Sequence, residues 1–190
     1  MTVIEAGVLG VVQGVTEFLP ISSIAHLRVV PALLGWADPG AAFSAVIQLG
    51  TLAAVLLYFA SDMRAMAAGV VQGLRSGRPL DNQEARLAWY IAAGTVPIVV
   101  CGLAFQRSIV GQWRSLYVIA ASLIGLGLLM WAAERMAGFR RDIKEIGWRE
   151  SQIIGLAQAI ALVPGSSRSG TTITAALFAG LTREAAARFL

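Results

Sequence analysis

Residues 162–172 read LVPGSSRSGTT and residues 19–31 read LPISSIAHLRVVP; each stretch places Pro-x-Ser-Ser inside an apolar segment. The first adds an arginine, and the second adds an arginine and the only histidine of the chain. Irregular polar backbone at membrane depth is tolerated only where protein buries it or where it lines a wet cavity. Each stretch therefore predicts the tip of a re-entrant hairpin, in which a helix, a polar turn and a second helix follow one another.

The composition indicates an integral membrane protein. Of the 190 residues, 57% are hydrophobic and only 14% are charged, whereas soluble domains usually carry about 25% charge. The formal net charge is +4, but the basic residues are nearly all arginines that stand between apolar segments. That distribution favours a role in membrane topology, and no nucleic acid partner is expected.

Three apolar stretches, residues 42–60, 87–105 and 116–133, have about the length needed to cross 30 Å of hydrocarbon. Two others, residues 3–19 and 151–163, end at prolines and run into the polar stretches described above. The predicted fold is all-α and polytopic, with three full spans and two re-entrant hairpins.

The two hairpins resemble each other. GVVQGVTEFLPISS and GLAQAIALVPGSS share Gly-x-x-Gln and Pro-x-Ser-Ser, and their prolines are 144 residues apart. Because three spans separate them, the second should enter from the opposite face, as in an inverted-topology repeat; chance similarity is the alternative. We expect one membrane domain over residues 1–190, with a first repeat of about 1–135 and a second from about 151. The second repeat would be truncated at 190, so that the chain is expected to be a fragment of a protein of roughly 270 residues.

The distribution of cations predicts an orientation. Most arginines fall in two loops, residues 61–86 and 134–150, whereas the opposite face has only Arg28, Arg107 and Arg114. The positive-inside rule places the two basic loops in the cytoplasm. The N-terminus and the first hairpin should then open to the outer face.

The first hairpin carries groups suited to acid–base and nucleophilic chemistry. Gln13 and Glu17 are one helical turn apart, and an ionisable group at membrane depth indicates a functional site. With Ser23 and His26, they can supply a metal ligand or base, a nucleophile and a proton shuttle. The alternative is structural, with the serines Ser22 and Ser23 capping the next helix and His26 making a polar contact.

The second hairpin has the composition of an anion site. It has no acid, since Ala161 stands where the counterpart of Glu17 would be. Glycines free the backbone, hydroxyls and a guanidinium donate hydrogen bonds, and a following helix would add its N-terminal dipole. The candidate phosphate-binding residues of the two loops are Ser22, Gly165, Ser167, Arg168, Ser169, Gly170 and Thr172. Many Ser-Gly turns bind nothing, but together the two hairpins indicate phosphoryl transfer on a phosphorylated lipid.

At these residues the chain resembles the bacterial undecaprenyl-diphosphate phosphatases, the bacitracin-resistance family. The resemblance lies in QGVTEFLPISSIAH (13–26), VIQLGTLAAVLLYF (46–59) and PGSSRSGTT (164–172). It implies hydrolysis of a C55 polyprenyl diphosphate to the monophosphate, which recycles the lipid carrier for cell-wall synthesis. It also implies a multi-pass protein of the bacterial plasma membrane, a site open to the outer or periplasmic face, and a divalent cation, Mg²⁺ or Ca²⁺.

The resemblance assigns roles to matching residues: metal binding to Gln13 and Glu17, catalysis to Glu17, Ser23, His26 and Arg168, and phosphate binding to Ser167 and Arg168. Gln13 cannot supply a second negative charge, so metal affinity should depend more on Glu17. Ala25 replaces a glycine that usually precedes the histidine, which would stiffen the loop if position 25 needed a positive φ. Whether Ser23 or His26 attacks phosphorus stays open.

Two other functions were considered. An inverted-repeat transporter or flippase for a phosphorylated lipid or other anion would need the anion site but not a converging set of Glu17, Ser23 and His26. A non-catalytic membrane protein would have no use for Arg168 at membrane depth. For an enzyme, loops 20–26 and 164–170 should meet near the bilayer centre around one cavity. Membrane lipids are expected partners, and a homodimer is a further expectation.

Overall fold

The computed structural model describes residues 1–189, and the described chain is all-helical. Two 3₁₀ turns, Gln112–Arg114 and Ile143–Glu145, accompany ten α-helices. The α-helices are α1 Val3–Thr16, α2 Ser23–Leu34, α3 Gly40–Tyr58, α4 Ala60–Arg75, α5 Gln83–Ala104, α6 Gln106–Val110, α7 Leu116–Met136, α8 Trp148–Ile160, α9 Arg168–Phe178 and α10 Arg183–Phe189.

Helices α3, α5 and α7 correspond to the three predicted spans. They contain 19, 22 and 21 residues and are long and apolar enough to cross a membrane. Helix α5 continues through Pro97, as helices in lipid can when neighbouring groups satisfy the freed carbonyl. The prediction of a polytopic all-α membrane protein is confirmed.

Helix pairs α1–α2 and α8–α9 form the two predicted hairpins. Helices α8 and α9 each begin 145 residues after α1 and α2, close to the spacing of the two prolines. In both pairs a serine caps the second helix: Ser22 accepts from the Ala25 N–H at 3.4 Å, and Ser167 accepts from the Gly170 N–H at 3.1 Å. The inverted orientation of the two pairs stays a prediction, and the predicted end of the second repeat at 190 lies outside the described residues.

The basic loop 61–86 contains a helix that the sequence analysis did not predict. Gly69 of α4 packs against the start of α5, where an added Cβ would lie 2.8 Å from Asn82 Oδ1, and Gly73 packs against the loop before α5, where a Cβ would lie 3.0 Å from the Arg78 carbonyl oxygen. Asn82 connects the two helices, since it donates to the Gly69 carbonyl at 3.0 Å and accepts from the Ala85 N–H at 2.6 Å. Helix α4 was not predicted because its apolar residues lie along one face of the helix and do not form a continuous apolar segment long enough to cross a membrane.

The second basic loop, 134–150, is held by one of its own cations. Arg141 donates to Glu150 at 2.8 Å and to the Glu145 carbonyl at 2.7 Å, and its backbone pairs with Leu181. The Arg141 hydrogen bond, the largest influence, holds the pKa of Glu150 below its usual value. Arg141 therefore has a structural role beside the topological one. It connects the loop to the buried cluster that joins α7, α8, α9 and α10, which contains Ala133, Ile154, Ala176, Leu177, Leu181 and Ala186.

Candidate functional site

The tips of the two hairpins touch. Arg168 Nη2, at the start of α9, lies 3.3 Å from Glu17 Oε1 at the end of α1. Next to this ion pair, the Ser169 hydroxyl donates to the Leu19 carbonyl oxygen at 2.9 Å. These contacts join residues about 150 positions apart in the chain. The two hairpins therefore meet, but through Glu17 and Leu19, just before the predicted loop 20–26; one cavity shared by Glu17, Ser23, His26 and Arg168 stays a prediction.

The second tip packs on the first half of α7. Gly165 lies against the backbone of Ile119, which is the fourth residue of that helix, and Gly170 lies against Leu126 at its midpoint. The position of the site near the bilayer centre stays a prediction.

Glu17 is the centre of the contacts. Gln13 lies one helical turn earlier and donates from Nε2 to Glu17 Oε2 at 2.8 Å, and the Ser23 hydroxyl donates to the same oxygen at 2.5 Å. With Arg168 on the other carboxylate oxygen, Glu17 has three partners, and its side chain is 11% exposed. A carboxylate that meets a guanidinium at one oxygen and neutral donors at the other can be buried at membrane depth without an uncompensated charge.

Ser22 shapes the first loop. Its φ is +63°, an uncommon conformation for a residue other than glycine. Ala25, where a positive φ was considered, is a buried residue within the first turns of α2 and is helical. The tight turn comes just before the helix begins, so the strained position is the N-cap Ser22 and not the residue before the histidine. Strain of this kind is held in place by the surrounding contacts.

His26 is oriented by the backbone. Its Nδ1 lies 2.8 Å from the Ser22 carbonyl oxygen. Because a carbonyl oxygen only accepts hydrogen bonds, Nδ1 carries the hydrogen in this contact, and Nε2 of a neutral ring keeps its lone pair. The sequence left open whether His26 or Glu17 would be the partner of Ser23. In the structure the hydroxyl of Ser23 is bonded to Glu17.

The second loop uses its serines and threonine to hold its own shape. Ser167 and Ser169 are buried and share a hydrogen bond of 2.8 Å between their hydroxyls. The hydroxyl of the fully buried Thr172 donates to the Arg168 carbonyl at 2.8 Å. Arg168 itself has a side chain that is 55% exposed. Of the predicted phosphate-binding residues in this loop, Arg168 is the one that is exposed.

Gly165 and Gly170 serve packing. Gly165 has a φ of +99°, and a Cβ there would lie 2.6 Å from the Ile119 carbonyl oxygen. At Gly170 a Cβ would lie 2.8 Å from Leu126 Cδ2, and the Gly170 N–H is already bonded to Ser167. The glycines were predicted to aim backbone N–H groups at an anion; the structure shows that they let the loop approach α7 closely. No local signal in the sequence identifies Ile119, Leu126 or the Leu19 carbonyl as parts of this arrangement.

The residues also offer an oxygen pair for a cation. Gln13 is almost fully buried, and its Oε1 has no hydrogen-bond partner. Such an atom is costly to bury and needs an explanation. It belongs to the side chain whose Nε2 donates to Glu17, and amide and carboxylate oxygens are ligand types that Mg²⁺ and Ca²⁺ prefer. Within residues 1–189 no cluster of three or more His, Cys, Asp or Glu side chains could hold a metal.

Taken as chemistry, the site combines a carboxylate of low exposure, a hydroxyl that donates to it and a guanidinium paired with it. His26 lies on the same helix as Ser23, and its one side-chain hydrogen bond in the described residues is to the Ser22 carbonyl. A hydroxyl next to a proton acceptor can become a nucleophile. A guanidinium presents paired donors to phosphate oxygens and stabilises the charge that develops on them. The arrangement is suited to transfer of a phosphoryl group.

Comparison with known proteins identifies relatives over the whole chain. The family model described as bacitracin resistance protein BacA matches residues 6–190. The undecaprenyl-diphosphatase of Chlorobium phaeobacteroides (strain BS1) is 59% identical over 196 aligned residues, which cover 100% of this chain and 70% of that protein. The proteins of the same name from Chlorobaculum tepidum and Chloroherpeton thalassium are 56% and 55% identical, with 70% and 69% of their lengths covered.

Proposed function

The chain belongs to the bacitracin resistance protein BacA family, and from this membership and the site we infer that it hydrolyses undecaprenyl diphosphate. The reaction releases the terminal phosphate and leaves undecaprenyl phosphate, the lipid carrier used in cell-wall synthesis. The observation that carries this assignment is the contact between Arg168 and Glu17. It supports the proposal because a guanidinium, which is suited to phosphate oxygens, lies beside a carboxylate that is hydrogen-bonded to a hydroxyl.

Glu17 is the candidate base and Ser23 the candidate nucleophile, because they share a hydrogen bond of 2.5 Å. The Ser23 oxygen attacks the terminal phosphorus while its proton passes to Glu17. The bond to the bridging oxygen breaks, and undecaprenyl phosphate leaves with that oxygen. Water then displaces the phosphoryl group from Ser23, which regains a proton, and inorganic phosphate is released. Arg168 holds the terminal phosphoryl oxygens as negative charge develops on them.

His26 provides a competing route. Its Nε2 keeps a lone pair while Nδ1 is held by the Ser22 carbonyl, so the ring could attack phosphorus directly. Trapping with diphosphate labelled on its terminal phosphoryl group separates the two routes. Acid-stable label on Ser23 supports the serine route, and acid-labile, base-stable label on His26 would contradict it.

A divalent cation, Mg²⁺ or Ca²⁺, fits the donor set. Gln13 Oε1 and the Glu17 carboxylate would hold it, with the remaining ligands from water and the phosphate oxygens of the substrate. When bound, it would offset the negative charge of the diphosphate. Removal of divalent cations with EDTA should reduce turnover, and addition of Mg²⁺ or Ca²⁺ should restore it. Full activity in EDTA would contradict a cation site at Gln13 and Glu17.

The bacterial plasma membrane, with the site open to the outer face, is the proposed location. The two basic loops lie at the opposite ends of the spans from Arg28, Arg107 and Arg114, which supports this orientation. Transport of an anion is not favoured, because the relatives bear the name of a phosphatase and the reactive groups converge as hydrolysis needs.

The direct test is hydrolysis of undecaprenyl diphosphate labelled on the terminal phosphate by the purified chain in detergent or lipid. We expect release of labelled inorganic phosphate and formation of unlabelled undecaprenyl phosphate. Arg168→Ala should abolish the release, whereas the control Arg107→Ala, at an exposed position of α6, should not. Equal release by wild type and Arg168→Ala would overturn the assignment of the site.

A further inference from the structure

A second cluster of arginines lies apart from the hairpin tips. Arg28 of α2 and Arg114, just before α7, both contact Asp38 in the turn between α2 and α3. Asp38 and Arg114 stand at the ends of spans, since α3 begins at Gly40 and α7 at Leu116. This is the face predicted to be outer. In the described part of the chain, none of the three residues belongs to the contacts around Glu17.

The two guanidiniums have far more donors than the cluster has acceptors. Each carries five N–H donors, yet Arg28 reaches Asp38 through Nη1 at 2.8 Å and Arg114 through Nη2 at 3.4 Å. The side chains are only 19% and 12% exposed. Arg28 Nε is buried without a hydrogen-bond partner. Asp38 has a third partner, since its Oδ1 also accepts a hydrogen bond from the Gly40 N–H at 3.1 Å.

The charges of the cluster do not cancel. Burial, the largest single influence, acts to raise the pKa of Asp38, but the Gly40 N–H, Arg28 and Arg114 together hold that pKa below its usual value. Asp38 is therefore ionised at neutral pH, and one negative charge faces two positive charges. Low-exposure cations without matching acceptors are costly. An anion bound between them would offset that cost.

We propose that Arg28 and Arg114 form a second anion site, distinct from Arg168, that binds a phosphate group. Two planar guanidiniums beside each other match the several oxygens of phosphate better than a single carboxylate can. The position at the span ends is where phospholipid headgroups and released inorganic phosphate are both available. The chemistry bound is the same for both sources, and Asp38 occupies part of the site when it is empty.

The test is equilibrium binding of labelled inorganic phosphate to the purified chain in phosphatidylcholine nanodiscs. The Arg168→Ala background removes binding at the hairpin tips. In this background we expect residual phosphate binding that Arg28→Gln and Arg114→Gln each weaken about tenfold or more, since each removes charge-assisted hydrogen bonds. Asp38→Asn should tighten binding about threefold or more, because it removes a competing, repelling carboxylate. Arg107→Gln, an arginine of the same predicted face, is the matched control.

The outcomes are decisive even if one variant fails to fold. Thermal unfolding identifies such a variant, and the remaining two of Arg28→Gln, Arg114→Gln and Asp38→Asn then carry the test. The second site would be overturned if the Arg168→Ala chain bound no phosphate. It would also be overturned if Arg107→Gln weakened the residual phosphate binding as much as Arg28→Gln does. Unchanged or weaker phosphate binding by a folded Asp38→Asn chain would overturn it too, since the cluster would then be a structural ion pair.

A second arm identifies the source of the phosphate group. The same binding is measured in nanodiscs with phosphatidylglycerol added to phosphatidylcholine. If phosphatidylglycerol lowers the binding of inorganic phosphate, and Arg28→Gln abolishes this competition, the site is assigned to lipid headgroups. Undiminished binding of inorganic phosphate assigns it to the free ion. Both results support an anion site, and because neither depends on turnover, the site can fail or stand independently of the proposed hydrolysis.

Discussion

At the scale of single residues, Glu17 has partners from both hairpins: Gln13 and Ser23 from the first, Arg168 from the second. It is the only acid in this set, since Gln13 is neutral. The carboxylate neutralises Arg168, and in the proposed mechanism it would also accept the serine proton and contribute to a cation site. Loss of its charge should affect all three roles.

Glu17→Gln keeps the shape of the side chain but removes the base, so we expect turnover to fall by about 10²–10⁴-fold. Ser23→Ala should cost at least as much if serine is the nucleophile. Because the two groups act as one unit, the double variant should be little worse than the more severe single variant. The measurement is kcat/KM for all three chains. A double variant whose fold-loss equals the product of the two single losses would contradict a shared step.

Arg168→Lys keeps the positive charge but loses the paired donors of the guanidinium. We expect a loss of about 10²-fold or more in kcat/KM, similar to removal of one preorganised donor at a reacting phosphate or oxyanion. Arg107→Lys is the control and should behave as wild type. Near-normal turnover by Arg168→Lys would indicate that a single point charge is sufficient.

The identities of these residues could be predicted from the sequence, because a carboxylate, serines and an arginine are conspicuous inside apolar segments. Their local geometry was predictable in part: Ser22 caps α2 and Ser167 caps α9, as their positions before helices indicate. The hydrogen bond from Ser169 to the Leu19 carbonyl was not predictable, since every residue has a carbonyl group. Neither was the positive φ of Ser22, which depends on how the turn meets the rest of the site.

At the scale of elements, the second hairpin is placed by its contact with α7. Gly165 has a φ of +99° and presses on the Ile119 backbone. A side chain there meets two obstacles, an unfavourable backbone conformation and immovable neighbouring backbone atoms. The position of Arg168 three residues later depends on this contact.

Gly165→Ala should therefore lower the free energy of unfolding by about 2 kcal/mol or more. The matched control is Gly7→Ala in α1, where a Cβ meets nothing within 4 Å. That substitution should be neutral or stabilise by up to about 1 kcal/mol, as expected for glycine in a helix. Denaturant unfolding in detergent measures both, and equal stability of the two variants would contradict the packing role of Gly165.

Helix α4 shows the limit of sequence reasoning about elements. Spans α3, α5 and α7 were predictable because length and apolar content are dictated by the bilayer. Helix α4 begins directly after α3 and packs through Gly69 on the start of α5 and through Gly73 on the loop before it, so its stability depends on neighbouring parts of the chain. The role of such packing glycines is recognised only once the part of the chain that they contact is known.

At the scale of the whole molecule, the repeated hairpins explain how one site is built from distant parts of the chain. The similar spacing of α1–α2 and α8–α9 was visible in the sequence as two Pro-x-Ser-Ser segments. Which atoms meet across the interface was not visible, because it follows from how three spans pack between the hairpins.

The central claim is that both hairpin tips form one site, and the measurement that tests it most directly is cross-linking across their contact. In a Cys101→Ala chain, Leu19→Cys and Arg168→Cys place thiols at two exposed positions of the two tips. The control pairs Leu19→Cys with Met136→Cys at the opposite end of α7. After treatment with a short bifunctional thiol reagent, mass spectrometry should find the peptide joining positions 19 and 168 in the first chain and no joined peptide in the control. Absence of the joined peptide in the first chain, with both cysteines shown to react singly, would contradict the account.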